Sequence, residues 1–235
     1  MDVAQIFAEF ETLKTDRQRK YYLSQGAQEP VLGVPTGAMK PIAKLVKNNQ
    51  AIAEELYATG NFDAMYLAGM IANTKIMTKD DFRRWLKSAN FWMISDFIIA
   101  VSLSETPYAQ ELADEWIVGS GDYEMSAGWS CYEWLVGRLK DESFERSKLA
   151  GMLARIEQTY LTMPDRTQQS MRRFIVALAI SYIPLHEEAK QTAAVIDAQI
   201  QTLLADLHLK RSVTDDIVHY LSMSRLGFKR KYVRC

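Results

Sequence analysis

Cysteine is scarce in this chain. Its 235 residues hold two, Cys131 and Cys235, far apart and with no CxxC pair. That excludes a disulfide scaffold, and a reduced, cytoplasmic setting is the simplest expectation. Surplus positive charge is also missing. Lysine and arginine total 28 against 29 aspartates and glutamates, for a formal net charge of -1. Such a chain does not coat nucleic acid by bulk charge, so any contact must use a basic face balanced by an acidic one. Long apolar runs are lacking. The longest, Phe91 to Leu103, is too short to span a bilayer and contains Asp96. The stretch from Met1 has no basic residue before Lys14 and no long apolar core, so it does not read as a signal peptide. Alternating β-branched runs between hairpin turns are absent as well.

Helical spacing is present almost everywhere. Ile6, Phe7, Phe10 and Leu13 form one apolar stripe, and Ile42, Leu45 and Val46 form another. Breakers punctuate these stripes at Gly26 and Pro30, at Gly33 to Gly37, and at Gly60, Gly119, Gly121, Pro164, Pro184 and Gly227. Thr78 with Asp81, and Asp165 with Gln168, have the spacing of capping boxes. The pattern predicts an all-α chain of roughly a dozen helices joined by short connections. No composition shift divides it, so residues 1–235 are expected to form a single domain with a basic tail at about 226–235.

The chain also echoes itself. At an offset of 59 residues, Tyr57 matches Trp116, Gly60 matches Gly119, Asp63 matches Asp122, and Ala68-Gly69 matches Ala127-Gly128. Each copy offers an aromatic near a helix end, a glycine turn, an acid in the next first turn and a small pair suited to close packing. The implied unit is a helix pair of about 30 residues, the size found in helical solenoids, whose concave face is the natural binding surface.

The stretch from Asn90 to Leu103 is apolar on nearly every side and reads as a helix enclosed by others. Asp96 is the one carboxylate inside it, and Trp92 lies four residues earlier, on the same helical face. A carboxylate there is either tied into a hydrogen-bond network or opens onto a site.

The segment Gly33-Val34-Pro35-Thr36-Gly37-Ala38-Met39-Lys40-Pro41-Ile42-Ala43-Lys44 resembles a signature of the AlkD-like DNA alkylation repair proteins. Leu56-Tyr57-Ala58-Thr59-Gly60-Asn61-Phe62-Asp63-Ala64 is similar to a second segment of that family. Gly26-Ala27, Gly128-Trp129 and Gly227-Phe228-Lys229-Arg230-Lys231 resemble one of its branches. The resemblance implies a single-domain fold of HEAT-like repeats with a basic groove for double-stranded DNA. It also implies glycosylase activity on cationic alkylated purines, with no metal and no cofactor; a monomer without membrane contact is expected. The family's catalytic Trp-x-x-x-Asp is matched by Trp92 and Asp96. The family's arginine is not matched, since its place falls near Ala127 or Gly128. Its second tryptophan falls at Ala177, after the basic pair Arg172-Arg173.

In that chemistry Asp96 would stabilise the oxocarbenium-like sugar left by a departing purine, and the Trp92 indole would pack on a cationic base. Phosphate contacts would come from Lys40, Lys44 and Lys47 along one helix, from Arg172 and Arg173, and from Lys229, Arg230, Lys231 and Arg234. Each has a plainer reading. Trp92 is core, Asp96 is a satisfied buried acid, the lysines are a solvated face, and Arg172-Arg173 pair with acids such as Asp165. Two further functions fit the same residues. One is a non-catalytic binder of DNA shape, and the other is a helical scaffold that holds a protein or peptide.

Overall fold

The structure, a computed structural model, describes residues 1–203 and 212–232. Arg234 and Cys235 lie outside the described residues. Every regular element among the described residues is helical. There are thirteen α-helices, four short 3-10 turns and one π-helical stretch. The chain packs as two compact units that divide after Leu112.

The first unit carries α1 (Val3–Leu13), α2 (Asp16–Ser24), α3 (Lys40–Leu45), α4 (Gln50–Ala58), α5 (Phe62–Ile71) and α6 (Lys79–Lys87). A π-helical stretch (Ile94–Ile99) then runs straight into α7 (Ala100–Ser104). Side chains begin most of these helices. Asp2 and Gln5 close a capping box on α1, and Thr78 and Asp81 close another on α6. Asn49 and Asn61 cap α4 and α5 through their side-chain oxygens. The apolar stripes meet in an aromatic core. Phe62 packs edge-on against Tyr22 at 4.6 Å and against Phe91 at 5.1 Å. Tyr57 stacks flat on Trp85 at 4.0 Å, and the Trp85 indole N–H donates to Glu54.

Asp63, in the first turn of α5, is fully buried. Its carboxylate accepts the backbone N–H groups of Leu32 (2.6 Å), Gly33 (3.2 Å) and Val34 (2.7 Å). Burial pushes its pKa up, and the three amides offset part of that rise. Gly33 has φ +91°, and a Cβ there would sit 2.5 Å from the Arg19 nitrogen, so only glycine lets the loop approach this closely.

The second unit begins within α8 (Ala109–Ile117). It continues through α9 (Asp122–Val136), α10 (Arg146–Thr159), α11 (Asp165–Ser181), α12 (His186–Leu203) and α13 (Val213–Ser222). Helices α9 and α11 form its centre, with Trp129 and Tyr132 of the first set against Phe174 of the second. Asp122 repeats the work of Asp63. It accepts the N–H groups of Arg166 (3.3 Å) and Thr167 (2.8 Å), two otherwise orphaned donors in the first turn of α11. The capping box expected from Asp165 and Gln168 does not form. Pro164 is the N-cap, and Gln168 donates back to the Met163 carbonyl instead.

The small pairs of the internal echo both sit at close contacts. A Cβ on Gly69 would lie 2.2 Å from Ile98, and one on Gly128 would lie 2.9 Å from the Ala113 carbonyl oxygen. Two substitutions test this account. Asp63→Ala strands three N–H groups and is expected to lower the unfolding free energy by about 3 kcal/mol. Gly69→Val forces atoms into Ile98 at a cost of roughly 1–3 kcal/mol. Urea midpoints measure both, and a shift under about 1 kcal/mol in Asp63→Ala would show that water replaces the carboxylate.

Candidate nucleic-acid interface

Asp96 is 0% exposed. Of the two alternatives for this carboxylate, its burial favours the one tied into a hydrogen-bond network. The Ser95 hydroxyl donates to its Oδ1 at 2.9 Å, and its neighbours in sequence Ile94, Ile98 and Ile99 are buried as well. The helix is also not the regular one expected over this run. The Ala100 N–H reaches back five residues to the Ser95 carbonyl, which is the π register. Trp92 precedes the π stretch and is only partly buried. Its indole N–H donates to the Gln25 carbonyl at 3.1 Å, and its ring packs edge-on against Phe91 and Phe97.

Lys40, Lys44 and Lys47 are exposed and make no ion pair among the described residues. Lys40 and Lys44 share α3, but the helix stops at Leu45. Lys47 therefore lies past its end, before Asn48 turns the chain at φ 59°. They are not three positions on one helix.

Three of the remaining basic candidates gather in the second unit, around a pocket of about 380 Å³. Arg172, Arg173 and Arg230 line it, and Arg225 joins them. Glu133 and Asp216 are the acids in its wall. Arg173 does not pair with Asp165. Its Nε donates to Glu133 at 3.0 Å, and an Nη donates to the Ser130 hydroxyl at 2.7 Å. Arg172 approaches Asp216 at 4.0 Å. Arg230 lies 3.7 Å from Glu133 and 4.3 Å above the Trp134 ring, and its Nη1 is a buried donor without an acceptor among the described residues. Val176, Ala177 and Ile180 supply an aliphatic floor, and Tyr220 and Phe228 an aromatic wall. Cys131 sits fully buried in α9, and burial raises its thiol pKa, so it is no nucleophile.

The C-terminal basic segment is docked rather than solvated. The Gly227 N–H donates to the Ile180 carbonyl, and the Arg230 N–H donates to that of Gly137, both at 2.7 Å. Lys229 Nζ donates to the Val136 carbonyl and pairs with Asp141. These are orphan carbonyls at the ends of α9 and α11, and a lysine there also suits the helix dipole. Lys231 remains exposed, its Nζ 5.4 Å from the Tyr232 ring. Sequence reasoning missed Arg225, Tyr220, Glu133 and Asp216 as members of one site. The docking of residues 227–230, which no local pattern encodes, brings them together.

An all-α chain whose two units are built from successive packed helices falls in the helical-repeat class. The chain belongs to the DNA alkylation repair enzyme family, which it matches over residues 6–189. Uncharacterized proteins of Listeria innocua and Listeria monocytogenes are each 27% identical over 195 residues, covering 80% of this chain and 84% of theirs. A solved structure is 48% identical over 100% of both chains, with a TM-score of 0.91. It is described as a new family of proteins related to the HEAT-like repeat DNA glycosylases with affinity for branched DNA structures. The fold here is accordingly all-α and of the HEAT-like repeat kind.

The arginines separate by role. Removing Arg173 leaves a nearly buried Glu133 without its main partner, so Arg173→Ala is expected to cost about 3 kcal/mol of stability. Lys231→Ala should change stability by less than about 0.5 kcal/mol. Chemical denaturation compares the two, and equal effects would contradict a structural role for Arg173.

Proposed function

We propose that this protein binds branched or distorted double-stranded DNA as a monomer and does not hydrolyse glycosidic bonds. The observation that carries the reading is the closed environment of Asp96. A carboxylate that stabilises a cationic sugar must reach it, and this one is fully buried and accepts a hydrogen bond from the Ser95 hydroxyl. Two departures point the same way. An arginine has no room at Gly128, where even a Cβ would meet the Ala113 carbonyl oxygen, and Ala127 is fully buried. Ala177 stands where the resemblance implies a tryptophan. The affinity for branched DNA described for the solved relative, 48% identical along its whole length, supports the choice of ligand. Trp92 and Asp96 are then parts of the fold, with Trp92 fastening the π stretch to the Gln25 backbone. Lys40, Lys44, Lys47 and Lys231 are the exposed phosphate contacts, and Arg172 and Arg230 act at the pocket rim.

A second reading, release of N3- or N7-alkylated purines, is favoured by the family match and by the retained Trp92 and Asp96. It requires the Asp96 carboxylate to become exposed on DNA. Binding and base-release assays separate the two readings. A four-way junction is expected to outcompete linear duplex, with affinity falling steeply as salt rises. Replacing Lys40, Lys44 and Lys47 together by alanine should reduce the log–log salt slope by about 0.9 for each phosphate left without its lysine, with stability unchanged. No 7-methylguanine should be released above the spontaneous rate. Release that disappears in Asp96→Asn would establish the glycosylase reading instead.

A further inference from the structure

The arginine pocket of the second unit has the chemistry of a nucleotide site. It sets four guanidinium groups against two carboxylates, Glu133 and Asp216, so it attracts an anion. Glu133 is largely engaged by Arg173 at 3.0 Å, with Arg230 at 3.7 Å. Arg225 has no carboxylate partner among the described residues. Its guanidinium lies 5.3 Å from the Phe228 ring and 6.0 Å from the Tyr220 ring. Those rings are themselves open to solvent, Phe228 at 47% and Tyr220 at 37%. Exposed aromatics beside a cation, over an aliphatic floor, suit a flat and partly apolar group. The volume of about 380 Å³ is near the small end of ligand pockets, which run from roughly 300 to 1,000 Å³. It admits one small planar ligand and excludes a duplex.

We propose that this pocket takes a single unpaired nucleotide at a DNA branch point. The base rests against Phe228 and Tyr220, above Val176 and Ala177, and its phosphate faces Arg225 and Arg172. The assignment rests on the DNA-binding reading above and names the part of the DNA that the site selects. It gives a reason for preferring branches, because a perfect duplex offers no base to stack.

Two three-way junctions test it, identical except that one carries an unpaired 2-aminopurine nucleotide at the branch. The wild-type protein is expected to bind that junction about tenfold more tightly, within the range for one stacked base. Its 2-aminopurine emission should change on binding. Phe228→Ala removes an exposed ring without altering charge. This variant should abolish both the preference and the emission change while binding the fully paired junction within about twofold of wild type. Equal wild-type affinity for the two junctions overturns the pocket assignment and leaves the DNA-binding reading standing. Binding neither junction better than linear duplex overturns both. Excess free deoxyadenosine monophosphate is expected to erase the preference for the unpaired nucleotide while the fully paired junction stays bound, and an unchanged preference would overturn the assignment.

Discussion

A short carboxylate accepting the unused amide N–H groups of a neighbouring segment is the interaction on which this fold depends. Asp63 does this for the loop at 32–34, and Asp122 does it for the first turn of α11. Asp197, midway along α12, does it for Val213 and Thr214 at the start of α13, at 2.8 and 2.9 Å. A helix start leaves four N–H groups without partners, and burying them unpaired is costly. Aspartate meets that need from another element and so fixes where that element begins. It also places negative charge at the positive end of a helix dipole. With the starts fixed, the apolar faces have one register in which to pack.

Charge has two separate uses in this molecule. Where an arginine faces a buried acid, as Arg173 faces Glu133, the pair is part of the structure and contributes little field outside it. Where a cation lies exposed, as at Lys40, Lys44 and Arg225, it remains available to a polyanion. A chain of net charge -1 can therefore still present a basic site, because many of its positive charges are already matched by neighbours.

Much of the fold was legible in the sequence for a local reason. Helical periodicity, the Thr78–Asp81 capping box and the echo between Asp63 and Asp122 all act within a few residues or at a fixed offset. The misreadings share the opposite cause. The Asp165–Gln168 spacing looked like a cap, but Pro164 occupies that position, and the amides of Arg166 and Thr167 go to Asp122, 44 and 45 residues earlier. The Asn90–Leu103 run carried the right periodicity for a helix, yet the π register changes which side chains share a face with Asp96. Asp96 itself posed a question that residue type cannot answer. Only the packing around it shows whether a buried acid is enclosed or merely recessed. The pocket was least visible of all, since its walls come from α9, α11, α13 and the residues after them, and long-range docking joins them.

That docking has a consequence for how such proteins diverge. The path of residues 224–230 is set by two left-handed positions, Ser224 at φ 57° and Gly227 at φ 75°, and by two backbone hydrogen bonds to helix ends. Inserting one residue between Gly227 and Arg230 would swing Phe228 to a new direction while every helix upstream kept its place. A lineage could thereby reshape this pocket by editing a strap rather than a scaffold. Specificity and stability are then free to evolve at different speeds.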